Sequence, residues 1–263
     1  MPRLGMDLRR LWSGTRSKGL SHARIYLEDA PEPRAGWIHF RVPGSQVERR
    51  TFHYFVQRAA PELSGFIPSD YWCRFVPRIC QDVLCVRKAV VALGLMYEEF
   101  TLTSGNAHFV PSEAAAQGHC KAMKSLRRYI NSDREVPDAI AALTCCAIFC
   151  CIDHLLGDQN GALGHLSSGV AMLKHAQATK SSVDREGFRE LTTIYARLDL
   201  QASVYDDSRP PTLMHGVQDR VLTDPCRTNN NGFASLGEAS DALTWLSLNA
   251  FEILILHAKD ETQ

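Results

Sequence analysis

The sequence predicts an all-α fold of antiparallel helix pairs, with at most one short N-terminal strand. Two observations carry that expectation. Apolar residues recur at spacings of three and four in segment after segment, the period of a helix face. No series of alternating runs marks a sheet. Length adds a bound, because 263 residues can bury one sizeable core or two small ones. A hydrophobic fraction of 45% and a charged fraction of 22% are those of an ordinary globular protein.

The one weak alternation is Gly36-Trp37-Ile38-His39-Phe40-Arg41-Val42, the candidate strand. Val47 to Ala60 reads as a helix that must stop near Pro61, since proline lacks an amide hydrogen and disfavours helix in the residue before it. A short segment after Ser69-Asp70 carries Tyr71, Trp72 and Phe75, and Pro77 kinks or ends it. Val86, Ala89, Val90, Leu93, Met96 and Tyr97 share one face of the next helix. Ser104-Gly105-Asn106 marks a loop within 101–113. Ala116, Cys120, Met123, Leu126 and Ile130 then form an apolar stripe, backed by Lys121, Lys124, Arg127 and Arg128.

Pro137 suits the first turn of a helix running to about Leu156. Its apolar stretch, Ala139 to Ile152, is too short to span a bilayer and reads as a buried core helix. Gly157-Asp158 has the form of a C-terminal glycine followed by a new N-cap, so Ala162, Leu163, Leu166, Val170 and Leu173 lie on an antiparallel neighbour. Ser181 and Asp184 have capping-box spacing ahead of Phe188, Leu191, Tyr195, Leu198, Ala202 and Tyr205. Residues 206–238, with Pro210-Pro211 and Asn229-Asn230-Asn231-Gly232, read as a linker or long loop. Leu243, Leu246, Ala250, Ile253, Leu254 and His257 outline a last helix.

Charge excludes one broad class. Lys and Arg total 29 and Asp and Glu total 29, so no overall field draws the chain to nucleic acid or to an anionic membrane. The N-terminal arm is locally basic, with Arg3, Arg9, Arg10, Arg16, Lys18 and Arg24 against Asp7 alone over residues 1–24. A solvated tail, a phosphate contact, a nuclear address and an organelle presequence all fit that composition. The nine cysteines are odd in number and several lie in apolar helical stretches, which favours reduced, buried thiols in an intracellular protein.

Four short segments, in order, carry a resemblance: Phe52-His53-Tyr54-Phe55, Ala60-Pro61-Glu62-Leu63-Ser64-Gly65, Val86-Arg87-Lys88-Ala89-Val90-Val91-Ala92-Leu93-Gly94 and Ala196-Arg197-Leu198-Asp199-Leu200. Asp70 and Trp72 fall between the second and third; Ala162, His165, Gly169 and Leu173 precede the fourth; Asp207-Ser208-Arg209-Pro210-Pro211 follows it. In this order they resemble the regulatory domain of fungal-specific transcription factors, over roughly residues 45–212. The resemblance implies an all-helical nuclear module that controls transcription, often of gene clusters for secondary metabolism. The sequence departs from that family in lacking the six-cysteine zinc cluster with paired Cys-x-x-Cys spacings, and in stopping at Gln263 where the family's domain usually continues. The expected organisation is a basic, flexible arm over 1–44, the helical domain over 45–212, and a linker with a terminal helix over 213–263, a truncated continuation of the same domain.

No catalytic, cofactor-binding or metal-binding residue is assigned. Cys146 with Cys150, and Cys150 with His154, are one helical turn apart, and with Cys151 they make the sharpest metal candidate. Structural zinc sites draw ligands from two turns or loops, so small side chains packed in a buried helix outweigh a metal. Cys85 or Cys120 as a nucleophile would need a histidine brought close by the fold. Asp199, Asp206 and Asp207 lie near one another, but helix-end carboxylates are usually solvated or capping. There is no phosphate-cradling glycine loop, His-Glu-x-x-His or Gly-x-Ser-x-Gly. The chain is therefore expected not to be an enzyme.

The Lys121, Lys124, Arg127, Arg128 face could touch phosphate or simply be solvated. The functional expectation is a regulator that acts through a protein partner or a homo-oligomer, with no sequence-specific DNA binding of its own, no membrane, and a small-molecule effector as an option. The alternative is a small-molecule-binding or catalytic helical protein similar to the regulators only in structure. The uncovered face of 243–254 should pack either on the chain's own core or against a partner subunit.

Overall fold

The computed structural model describes residues 42–64, 70–103, 109–132, 139–178, 185–205, 211–213, 233, 239, 242–244, 246–247 and 249–250, all within one unit, Val42–Gln263. The N-terminal arm, most of the expected strand, the Ser181–Asp184 capping box, Pro137, Asp206, Asp207 and most of the 206–238 linker lie outside them. Among the described residues every regular element is helical and no strand occurs, so the fold is all-α.

Helix α1 (Gln46–Tyr54) opens with a full capping box. Glu48 N–H donates to Ser45 Oγ at 3.2 Å, and Ser45 N–H donates to Glu48 Oε2 at 2.8 Å. The chain does not stop before Pro61. A π-helical turn, Phe55–Ala59, leads directly into α2 (Ala60–Ser64). In that turn Ala60 N–H reaches back to Phe55 C=O, five residues away, so the helix is locally widened just where the proline ring would meet a carbonyl. The same device recurs: π-turn Tyr71–Phe75, with Val76 N–H bonded to Tyr71 C=O, precedes Pro77 in α3 (Val76–Asp82). Both prolines follow a π-turn by two residues, and both continue a helix rather than end it.

Helix α4 (Leu84–Leu102) buries the whole expected face from Val86 to Tyr97. Gly94 lets α4 approach α1 closely: a Cβ there would lie 3.0 Å from Thr51 C=O and 3.3 Å from Phe55 Cβ. Arg87 donates to Cys80 C=O at 2.9 Å and to Gln81 C=O at 3.1 Å, tying the end of α3 to α4. Helix α5 (Glu113–Ile130) starts at Ser112, whose Oγ accepts Ala115 N–H at 3.2 Å.

Helix α6 (Ala139–Leu156) is apolar all round and nearly every residue is buried, as the centre of a helical protein must be. Its 18 residues are long and apolar enough to cross a membrane by length and composition; in this molecule α4, α7 and α8 pack around it. It ends at Gly157 (φ +75°), where Gly157 N–H bonds His154 C=O and Asp158 N–H bonds Asp153 C=O, the double closure of a Schellman turn. Asp158 then caps α7 (Gln159–Ala178), its Oδ1 accepting Gly161 N–H at 2.9 Å. One residue thus closes α6 and opens α7, which returns alongside it and buries Ala162, Leu166, Val170 and Leu173.

Helix α8 (Arg185–Tyr205) packs on α6 and α7 through Tyr195, which is fully buried and donates to Leu143 C=O at 2.7 Å. Its ring lies directly over Gly169, where a Cβ would sit 2.2 Å from the Tyr195 hydroxyl. No side chain fits there.

One expectation about a helix face is corrected. In α5 the buried residues are Ala115, His119, Ala122 and Leu126, whereas Ala116, Cys120, Met123 and Ile130 are exposed. The helix is rotated from its apolar stripe, so that the face meeting α4 and α6 keeps only Leu126 of that stripe. Of the terminal stripe, Leu243 and Leu246 are 65% and 48% exposed, while Ala242 and Thr244 are buried. The two leucines do not pack on the chain's own core; Ile253, Leu254 and His257 lie outside the described residues.

Candidate functional site

The described residues bring titratable groups together at one place, the α6–α7 joint with α5 beside it. Asp153 is buried, and His165 Nε2 lies 3.5 Å from its Oδ2. A Cβ on Gly161 would lie 2.7 Å from Asp158 Oδ2 and 2.8 Å from Asp153 Oδ2, so two carboxylates converge over one glycine. Burial, with Asp158 adding like-charge repulsion, raises the Asp153 carboxyl to about 6. Phe149 stands between two imidazoles, with its centroid 5.4 Å from those of His119 and His165. His119 is buried and its Nε2 has no hydrogen-bond partner among the described residues. Burial lowers His119, His154 and His165 below the usual imidazole range; His165 adds repulsion to His119.

Asp153, raised to about 6, is the group of this cluster placed to hold and release a proton in the weakly acidic range. The cluster has no opening for a substrate in either of two clefts among the described residues. One, of about 400 Å³, is lined by Lys124, Arg127, Arg128 and Asn131. The other, of about 150 Å³, is lined by residues of the 42–48 segment and α4, including Glu48, Leu84, Arg87 and Lys88.

Of the sequence-derived metal candidates, Cys150 and His154 lie side by side on α6. His154 Nδ1–H donates to Cys150 C=O at 2.8 Å, with the Cys150 sulfur 3.5 Å away, so that nitrogen is occupied by the helix backbone. Burial pushes the Cys146 thiol up to about 11 and the Cys151 thiol up to about 12, which opposes the thiolate a metal requires. No group of three His, Cys, Asp or Glu able to hold a metal ion occurs among the described residues. Cys85 is buried beside Cys145 and close to Cys80, a thiol grouping from three helices that the sequence did not reveal; Cys120 is exposed on α5.

Asp199 is neither solvated nor a helix cap. It is fully buried and accepts from Thr212 N–H at 2.6 Å, Leu213 N–H at 2.9 Å and Thr212 Oγ1 at 3.1 Å, clamping residues 212–213 to α8. The segments that carried the resemblance therefore do structural work: Phe52 and Phe55 are core, Gly94 and Gly169 are close approaches, and Asp199 is a clamp. His165 is the one among them that reaches the titratable cluster. The signal that was available for Asp153 and His154 was their position at the end of an apolar helix; nothing in the sequence marked His119.

No family model matches this chain, and no curated protein or solved structure matches it either.

Proposed function

We propose that this chain is a transcription-regulatory helical module, similar to the regulatory domain of fungal-specific transcription factors, and that it works in the nucleus through a protein partner, on genes of secondary metabolism. What supports the reading is that residues of the resembling segments sit at contacts between elements: the first segment meets the third, the second bonds α4, and the fourth holds residues 212–213. Phe55 sits against Gly94 where α1 crosses α4, Tyr97 donates to Glu62 of α2, and Asp199 anchors the strand of chain after α8. A chance series of helical fragments would not be expected to place its glycines and its buried acid at the contacts between elements.

Action through a partner follows from the same residues. None of the nine cysteines stands in paired Cys-x-x-Cys spacing, and the net charge is zero. The test is a reporter assay in which residues 42–263 are fused to a heterologous DNA-binding domain in a fungal host. A change in reporter output over the DNA-binding domain alone is expected. An inert fusion that is stably folded and nuclear would refute the reading.

A further inference from the structure

We infer that the outer face of α5 is a docking surface for an acidic amphipathic helix of a partner protein. Ala116, Cys120, Met123, Arg127 and Ile130 follow one another at spacings of four, three, four and three, the period of a helix-pairing seam. All five are exposed, with Met123 and Ile130 at 37% and 43%. Arg127 enters this seam, Lys124 flanks it, Lys121 and Arg128 lie beyond Lys124 on the same side, and Glu113 is the only acid on the helix. None of the four cationic side chains makes an ion pair or hydrogen bond among the described residues. Lys124, Arg127, Arg128 and Asn131 line the cleft of about 400 Å³.

Charge decides the occupant. A second copy using the same face would set four cations against four, which costs affinity in a symmetric interface. Nucleic acid would satisfy the cations but leave Met123 and Ile130 without an apolar partner. Tyr129, the one aromatic residue of α5, is half-buried and is not presented for stacking on a base. A helix with leucines along one stripe and carboxylates beside it answers both features together. The inference rests on the reading that the protein acts through a partner, and supplies the chemistry of that partner.

The probe is a fluorescein-labelled peptide of about three heptads with leucine at positions a and d and glutamate at e and g. Its controls are a scrambled peptide of equal composition and a labelled DNA duplex, each followed by fluorescence anisotropy against the full chain. The ordered peptide should bind and should shield Cys120 from alkylation. Reversal by K124E, R127E and R128E together should weaken it by at least about tenfold, and M123S with I130S by several-fold. Because these side chains are exposed, melting temperatures should hold; the Cys120 shielding in the unaltered chain needs no variant at all. Equal binding of the scrambled peptide, tighter binding of DNA, or unshielded Cys120 would overturn the inference. Peptide binding by a chain inert in the reporter assay would leave the surface standing and remove the transcription reading. An active reporter fusion with no peptide binding would do the reverse.

Discussion

Helices α5 and α6 are equal in length and opposite in how their sequences translate into burial. In α6 every side of the helix is apolar, so any rotation buries it, and α4, α7 and α8 surround it. In α5 four of the five stripe residues, Ala116, Cys120, Met123 and Ile130, face outward, while the fifth, Leu126, is buried with Ala115, His119 and Ala122. Periodicity announces that a helix has two faces; which one is covered depends on what its neighbours can approach. Close packing against α4 and α6 favours alanines over Met123 and Ile130. Met123 and Ile130 are left exposed.

The contrast can be broken from the core side first. Gly169→Val should have the largest effect, because the added carbons would occupy the space of the Tyr195 ring; a loss of at least about 3 kcal/mol in urea denaturation is expected for overpacking of this kind. Asp199→Ala should come next, at about 2 kcal/mol, since it strands the buried Leu213 N–H and frees Thr212. Limited proteolysis after residue 205 should accelerate in that variant. An unchanged denaturation midpoint in either protein would contradict the packing described.

The titratable joint gives a smaller, pH-dependent effect. Burial and Asp158 raise Asp153 from 3.8 to about 6, so within that window the folded chain holds a proton that the unfolded chain has released. Asp153 therefore contributes a loss of stability as pH rises from about 4 to 6. Burial lowers His119, His154 and His165 from 6.5, so they contribute stability that is present above that value and lost as pH falls below it. Asp153→Asn should be more stable than the parent at pH 7, and should lose more on acidification from pH 7 to 5. Denaturation midpoints at the two pH values check both signs. At the other extreme, Met123→Ser and Ile130→Ser should each change stability by no more than about 0.5 kcal/mol, as exposed positions do.

Much of the fold was legible in the sequence where one signal sufficed. The α4 face, the apolar α6 and the Gly157-Asp158 joint needed only periodicity and capping chemistry. The continuation through Pro61 was not legible, because the proline rule takes α-helical spacing as given and a π-turn changes that spacing. The α5 rotation was invisible for a different reason: it is fixed by neighbours remote in sequence. The Asp153–His165 pair and the tilted contact of His119 with Phe149 likewise join three helices, and no local spacing encodes such a meeting.

Cysteine chemistry tests the orientation of α5 most directly, since Cys120 lies on the outward stripe while Cys80, Cys85, Cys145, Cys146 and Cys150 are buried. The folded chain is exposed to an alkylating reagent at neutral pH, and modification of each cysteine-containing peptide is followed by mass spectrometry over time. Cys120 should react rapidly under native conditions, and the five buried thiols only when denaturant unfolds the chain. A protected Cys120 in the folded protein, or buried thiols that react as fast as it does, would contradict the outward-facing stripe and everything argued from it.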